Sequence, residues 1–229
     1  ALAYGAYIWA LLIAPLPVLW ALLQIVPRGR PANRLVSGWC RMALVLSGCP
    51  VHVDGLENLQ AAAPAVLAAN HASYIDAGVL LATLPVEFRF VAKRELTTYP
   101  VIRTVIRKVG HLTVERFDPA KRAALADRTT AVLRSGTSLF FFPEGTFFRP
   151  PGLLPFRLGA FKAAVEAGRP VIPIGLRGTR EILPDGTWLP KRGPITVAIG
   201  PPITPEGSGG EELVRLRDLA RREIARLAG

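Results

Sequence analysis

Residues 64–84 read PAVLAANHASYIDAGVLLATL. An apolar run ends at Ala69, a second begins at Ala77, and between them stand Asn70, His71, Ser73 and Asp76. The first run is short and follows Pro64, which reads as a buried strand. The second has the composition of a helix. A strand feeding a helix is the repeating unit of an α/β sheet, and the loop between them is where such folds commonly place their chemistry. The chain has three histidines, and this junction holds one of them beside a carboxylate.

The spacing sharpens the point. On one helix, His71 and Asp76 would lie about 140° apart around the axis, out of reach of each other. With His71 in the loop leaving the strand and Asp76 in the first helical turn, the bend brings carboxylate to imidazole, while Asn70 and Ser73 satisfy backbone groups at the junction. A competing use exists for Asp76. Ser73-x-x-Asp76 resembles a capping box, which would spend the carboxylate on the helix start. A neutral imidazole oriented by a carboxylate is the usual general base for a hydroxyl near neutral pH.

Outward from this stretch, β-type runs alternate with helical patterns. Strands are expected at 51–54, 65–69, 88–92, 112–115, 138–142, 171–175 and 195–199. Helices are expected at 75–84, 100–108, 119–134, 157–167 and 210–228. The alternation predicts an α/β fold, a mixed and mostly buried sheet flanked by helices. PPITPEGSGGEE reads as the loop before the last helix, whose arginines form a solvated face.

The N-terminus is different in kind. Residues 1–26 carry no charge and include Tyr4, Tyr7, Trp9 and Trp20. Their length could span a bilayer, but Pro15 and Pro17 favour a break in the middle. A basic flank follows at Arg28, Arg30, Arg34 and Arg41, as expected on a cytoplasmic face. A cleaved signal peptide is the alternative, and no A-x-A-like site follows the run. Residues 31–47 continue as an amphipathic helix with Leu35, Trp39, Met42 and Leu46 on one face. We therefore expect a membrane-association segment over 1–47 and a catalytic domain over 48–229, held at the cytoplasmic face of a membrane as a monotopic or single-span protein.

Charge and hydropathy agree with that division. Lys and Arg number 28 against 17 Asp and Glu, a formal charge of +11, so the partner is anionic. A mean hydropathy of +0.32 favours a phospholipid membrane over nucleic acid. Cys40 and Cys49 form no CxxC pair and sit in no histidine cluster, so neither a metal site nor a disulfide framework is expected.

A second polar island follows the apolar run Leu139–Phe142, in Pro143-Glu144-Gly145-Thr146. A glutamate at the end of a buried strand is costly unless paired or used. Together, NHASYID and FPEGT resemble the H-x4-D and FPEGT motifs of the PlsC-type 1-acylglycerol-3-phosphate acyltransferases. FVAKREL at 90–96 with GHLTVER at 110–116, and VIPIGLRG at 171–178, are similar to two further blocks of that family in the same order.

The resemblance implies that His71 is the general base on a glycerol hydroxyl and that Asp76 orients it. It also implies that Lys93 and Arg116 hold the acceptor's phosphate, with Glu144, Gly145 and Thr146 positioning the acceptor. The donor would be acyl-CoA or an acyl carrier protein and the acceptor a lysophospholipid, with no cofactor and no metal. Phe147 departs from the family, where arginine commonly follows FPEGT. Arg149 or Arg157 would then replace that contact, or the acceptor is a different lysolipid. Two rivals are weaker: a serine hydrolase, for which Gly136-Thr137-Ser138-Leu139-Phe140 lacks the second glycine of the nucleophile pattern, and a non-catalytic basic membrane- or nucleic-acid-binding protein.

Overall fold

A computed structural model describes residues 2–115, 119–147 and 152–229. The expected α/β alternation is present. Among the described residues seven strands, β1 (Val51–Asp54), β2 (Val66–Ala69), β3 (Phe88–Lys93), β4 (Leu112–Val114), β5 (Ser138–Phe141), β6 (Val171–Arg177) and β7 (Ile195–Ile199), form one sheet in the order β1-β7-β6-β2-β5-β3-β4. Five of them, β6 through β4, run parallel, and β7 joins β6 antiparallel with β1 parallel beside it.

Among the described residues ten helices accompany the sheet: α1 (Leu2–Ile13), α2 (Leu16–Ile25), α3 (Arg30–Ser47), α4 (Leu56–Ala62), α5 (Asp76–Thr83), α6 (Pro100–Val109), α7 (Pro119–Arg134), α8 (Gly159–Ala167), α9 (Thr179–Ile182) and α10 (Gly210–Ala228). A 3-10 turn covers Arg94–Thr98. The short α4, α9 and the 3-10 turn were not expected from the sequence.

Strand β2 lies at the centre and all four of its residues are buried, which explains its uninterrupted apolar run. Its side chains alternate between two cores. Leu67 and Ala69 join the layer containing α3 and α5, whereas Val66 and Ala68 join the layer of α7, α8 and α10. At the outer edge, β1 alternates half-buried valines with exposed His52 and Asp54. Helix α10 packs on β6 so closely that a Cβ on Gly175 would meet Leu227 at 2.4 Å, which gives a reason for glycine inside an apolar strand. On its outer side α10 ties arginines to its own acids, Arg215 to Glu212 and Arg226 to Glu223, the solvated face expected of it.

The N-terminal run breaks between α1 and α2, where Pro15 caps α2 and Pro17 sits in its first turn. It folds back along α3: Tyr4 Oη donates to the Ser47 carbonyl and Tyr7 Oη to that of Leu46, while Gly29 closes the other end. Leu19, Leu23, Ala32 and Val36 belong to the same core cluster as β2 and α5. The inward face of α3 runs through Ala32 and Val36, with Leu35, Trp39 and Leu44 partly buried against the same core, so half of the stripe expected from the sequence packs inward while Met42 and Leu46 are exposed. The reason is that α3 packs against α5, α6, α1 and α2, so its buried arc is set by their positions rather than by its largest side chains. Leu2–Ile25 is long and apolar enough to cross a membrane by length and composition, and only 17% of its most apolar window is buried.

Candidate active site

The carboxyl ends of β2, β3 and β5 open on a cavity of about 980 Å3 lined mostly by apolar side chains, with His71 and Lys93 in its wall. Parallel strands put their ligand sites at this end, where connections leave the sheet in opposite directions.

The first residue past β2 is Asn70. Its side chain extends the ladder to β6, donating Nδ2–H to the Leu176 carbonyl at 2.9 Å and accepting the Leu176 N–H at 2.7 Å. His71 follows, and its backbone N–H donates to Glu144 Oε1 at 2.8 Å. The other oxygen, Glu144 Oε2, accepts the Leu154 N–H at 2.7 Å. Glu144 is 4% exposed; burial raises its carboxyl pKa, and the two backbone donors pull it the other way.

Sequence resemblance assigned Glu144 to the acceptor. In the structure both of its oxygens hold main chain, and it does not line the cavity. A carboxylate ending a buried strand needs donors, and the nearest are backbone N–H groups of the base loop.

Asp76 opens α5 and is fully buried. Its Oδ2 accepts from His71 Nδ1 at 2.8 Å, from Ala72 N–H at 2.7 Å and from Ser73 N–H at 2.9 Å. The two uses that competed for Asp76 in the sequence are thus both met by one oxygen. It reaches back to the Ser73 N–H, as the acid of a capping box does, and it holds the imidazole. Ser73 does not complete the box. Its Oγ donates to the Leu183 carbonyl at 2.7 Å, tying the loop to the segment after α9. Asp76 Oδ1 is buried without a hydrogen-bond partner.

With Nδ1 donating to a carboxylate, the His71 proton sits on Nδ1 and Nε2 carries the lone pair. The ring stacks on Phe142, centroids 4.1 Å apart, and meets Phe147 at 4.4 Å. Phe147 also lies edge-on to Tyr74, whose hydroxyl donates to Asp185 Oδ1. Position 147, where the family resemblance led one to expect arginine, is filled by a ring packed on the proposed base. Phe142 had no signal in the sequence beyond its place in the motif.

Lys93 ends β3 in the cavity wall, and Gly145 lines it at φ 73°, in the left-handed region that glycine supplies at no steric cost. Thr146 is half-buried beside it and is not part of the wall. Arg157 lines the cavity. Arg116 and Arg149 lie outside the described residues.

The remaining histidines are structural. His111 Nδ1 accepts from the Phe90 N–H at 3.1 Å, and burial together with Arg89 lowers its pKa to about 4, so it is neutral under ordinary conditions. His52 pairs with Asp54 on the exposed strand face. Ser138 is buried and its Oγ accepts the Ala65 N–H, which leaves no exposed nucleophile there and removes the hydrolase alternative. Cys40 and Cys49 are free thiols. Among the described residues no group of three or more His, Cys, Asp or Glu is placed to hold a metal ion.

Residues 50–177 match the family model described as Acyltransferase. A chloroplastic 1-acyl-sn-glycerol-3-phosphate acyltransferase of Brassica napus is 36% identical over 76% of this chain and 49% of its own length. Proteins of that name from Limnanthes douglasii and Pseudomonas aeruginosa are 30% and 29% identical, over 86% and 98% of this chain and 68% and 86% of theirs. The chain spans about half the length of the chloroplast relatives it matches. In fold it is similar to the crystal structure of the 1-acyl-sn-glycerophosphate acyltransferase PlsC from Thermotoga maritima, with a TM-score of 0.80 at 24% identity, covering 98% of this chain and 93% of that one.

Proposed function

The chain belongs to the Acyltransferase family, and from that membership we propose that it moves a fatty acyl group from a thioester, acyl-CoA or acyl carrier protein, to the free hydroxyl of a lysophospholipid. The favoured acceptor is 1-acyl-sn-glycerol-3-phosphate, the product then being phosphatidic acid in phospholipid biosynthesis. The single observation carrying this reading is the 2.8 Å bond from His71 Nδ1 to a fully buried Asp76, with the ring in the wall of an apolar cavity.

The chemistry follows from that pair. Nε2 of His71 takes the hydroxyl proton as the acceptor oxygen attacks the thioester carbonyl, and the Asp76 carboxylate stabilises the imidazolium that forms. The tetrahedral intermediate then collapses, the C–S bond breaks, and the leaving thiolate recovers the proton from His71. An ester and a free thiol result, without a covalent acyl-enzyme. Lys93, at the cavity wall, serves the acceptor's phosphate, with Arg116 and Arg149 as further candidates on the same argument of charge.

The outward apolar surface of α1 and α2 supports attachment to a membrane, with the basic flank Arg28, Arg30 and Arg34 at the headgroups on the cytoplasmic side. Because α2 shares the core with α3 and α1 is tied to the end of α3 through Tyr4 and Tyr7, a monotopic arrangement fits better than a projecting span.

One observation favours a second acceptor. Phe147 covers the His71 ring where the family commonly supplies a cation, so a lysolipid whose phosphate is capped or missing is the alternative. The deciding assay uses purified protein in lipid or detergent, an acyl thioester, and a panel of lysolipids with and without a phosphomonoester. His71→Ala should abolish transfer, and Asp76→Asn should lower it by roughly 100- to 10,000-fold, both with unchanged circular dichroism. Normal transfer by folded His71→Ala would refute the assignment of the base.

A further inference from the structure

A second cleft, of about 650 Å3, lies at the β4 edge of the sheet and shares Ile106 and His111 with the wall of the reaction cavity. Four arginines line it: Arg89 of β3, Arg103 and Arg107 of α6, and Arg128 of α7, with the hydroxyls of Thr97 and Thr113. No carboxylate lines it. Among the described residues none of the four guanidinium groups makes a side-chain hydrogen bond or an ion pair, although most other arginines of the surface do, such as Arg94 with Glu115 and Arg30 with Glu87.

This arrangement concentrates positive charge with no carboxylate to balance it. Arg103 and Arg107 stand four apart on one helix face, where like charges repel. Closeness to the carboxyl end of α6 offsets Arg107, as it does Lys108, but not Arg89, Arg103 or Arg128. Arginines lining one cleft from three elements offer several donors, which suit the several oxygens of a phosphate ester better than a single carboxylate. The cleft is also separate from the proposed acceptor site, because Arg89 precedes Lys93 by four strand residues, about 13 Å.

We propose that this cleft binds a phosphate ester. Two sources share that chemistry. An anionic lipid headgroup is within reach because α6 is fastened to the end of the apolar segment: Lys108 Nζ donates to the carbonyls of Gln24 and Val26, and Gly29 N–H donates to that of Lys108. A soluble phosphate ester carried by a thioester donor is within reach because the two cavities share a wall. The headgroup source stands whether or not acyl transfer is the activity, whereas the soluble source rests on that reading.

The test uses the full chain and two probes: phosphatidylcholine vesicles with and without phosphatidylglycerol, and adenosine 3′,5′-bisphosphate in solution. The variant Arg103→Gln/Arg107→Gln is compared with Arg221→Gln/Arg222→Gln, which removes the same charge from the exposed face of α10. The cleft variant should lose about tenfold or more in affinity, and the control should bind like the unaltered chain. Gain from phosphatidylglycerol assigns the lipid source, and binding of the bisphosphate assigns the soluble one. Equal losses in both variants, or no binding of either anionic probe above neutral vesicles, would overturn the proposal.

Discussion

Glu144→Gln separates two roles for the same residue. If Glu144 contacts the acceptor, the substitution raises the acceptor KM. If it holds the base loop, as the bonds to His71 N–H and Leu154 N–H indicate, the substitution acts on kcat. The amide keeps one acceptor oxygen and turns its NH2 toward the other backbone donor. One charge-assisted bond is lost, worth about 1.5–3 kcal/mol, and the relief of a buried charge offsets part of it. A shift of about 1 Å in a reacting group costs on the order of 100-fold, so kcat should fall by about 10- to 100-fold at unchanged acceptor KM. Stability gives an independent readout. Burial raises the carboxyl pKa of Glu144 above its ordinary value of 4.5. Its contribution is therefore fully present below that value and is lost as pH rises through the folded-state pKa. The variant should lack that part of the pH dependence in denaturant melts followed from acid to neutral pH. An acceptor KM raised about tenfold with kcat unchanged would refute the bracing role.

Two further outcomes follow from neighbouring groups. Phe147→Arg should shift acceptor preference toward phosphomonoesters in the lysolipid panel, and an unchanged preference would remove position 147 from specificity. For His111, whose pKa is lowered from 6.5 to about 4, the unfolded chain takes up a proton that the folded one refuses as pH falls between those values. Stability should drop by about 1.4 kcal/mol per pH unit over that window, about 3 kcal/mol in all, and His111→Phe should flatten the slope. An identical slope in the variant would assign the acid sensitivity elsewhere.

How far the sequence carried depended on the range of the interactions involved. The strands were legible because each is a short apolar or alternating run, such as VLAA in β2 and VHVD in β1, and the break at Pro15 was legible from the missing backbone donors. The pairing of His71 with Asp76 was legible too, since five residues of spacing allow contact across a loop-to-helix bend and forbid it on a helix. The job of Glu144 was not, because its partners stand 73 and 10 residues away and are backbone atoms without a sequence signature. Ser73 was expected to serve its own helix, and its Oγ does accept the Ile75 N–H at 3.4 Å, but the same hydroxyl also donates to Leu183, 110 residues on, which no local pattern shows. Arg89, Arg103, Arg107 and Arg128 read as ordinary surface bases in a chain of +11, and only the fold brings them around one cleft.

The base loop is held by whatever lies next to β2, and the strand order determines what that is. On one side β6 grips Asn70 through Leu176, and the chain beyond β6 grips Ser73 through Leu183. On the other, the turn after β5 supplies Glu144 to the His71 backbone and Phe142 to the His71 ring. Asp76 then needs only the local turn to complete the arrangement. A histidine at the end of an edge strand would lack one of these flanks. Placing it on a central strand with a parallel neighbour on each side lets two separate chain segments fix its backbone, so that the imidazole is oriented before any substrate arrives.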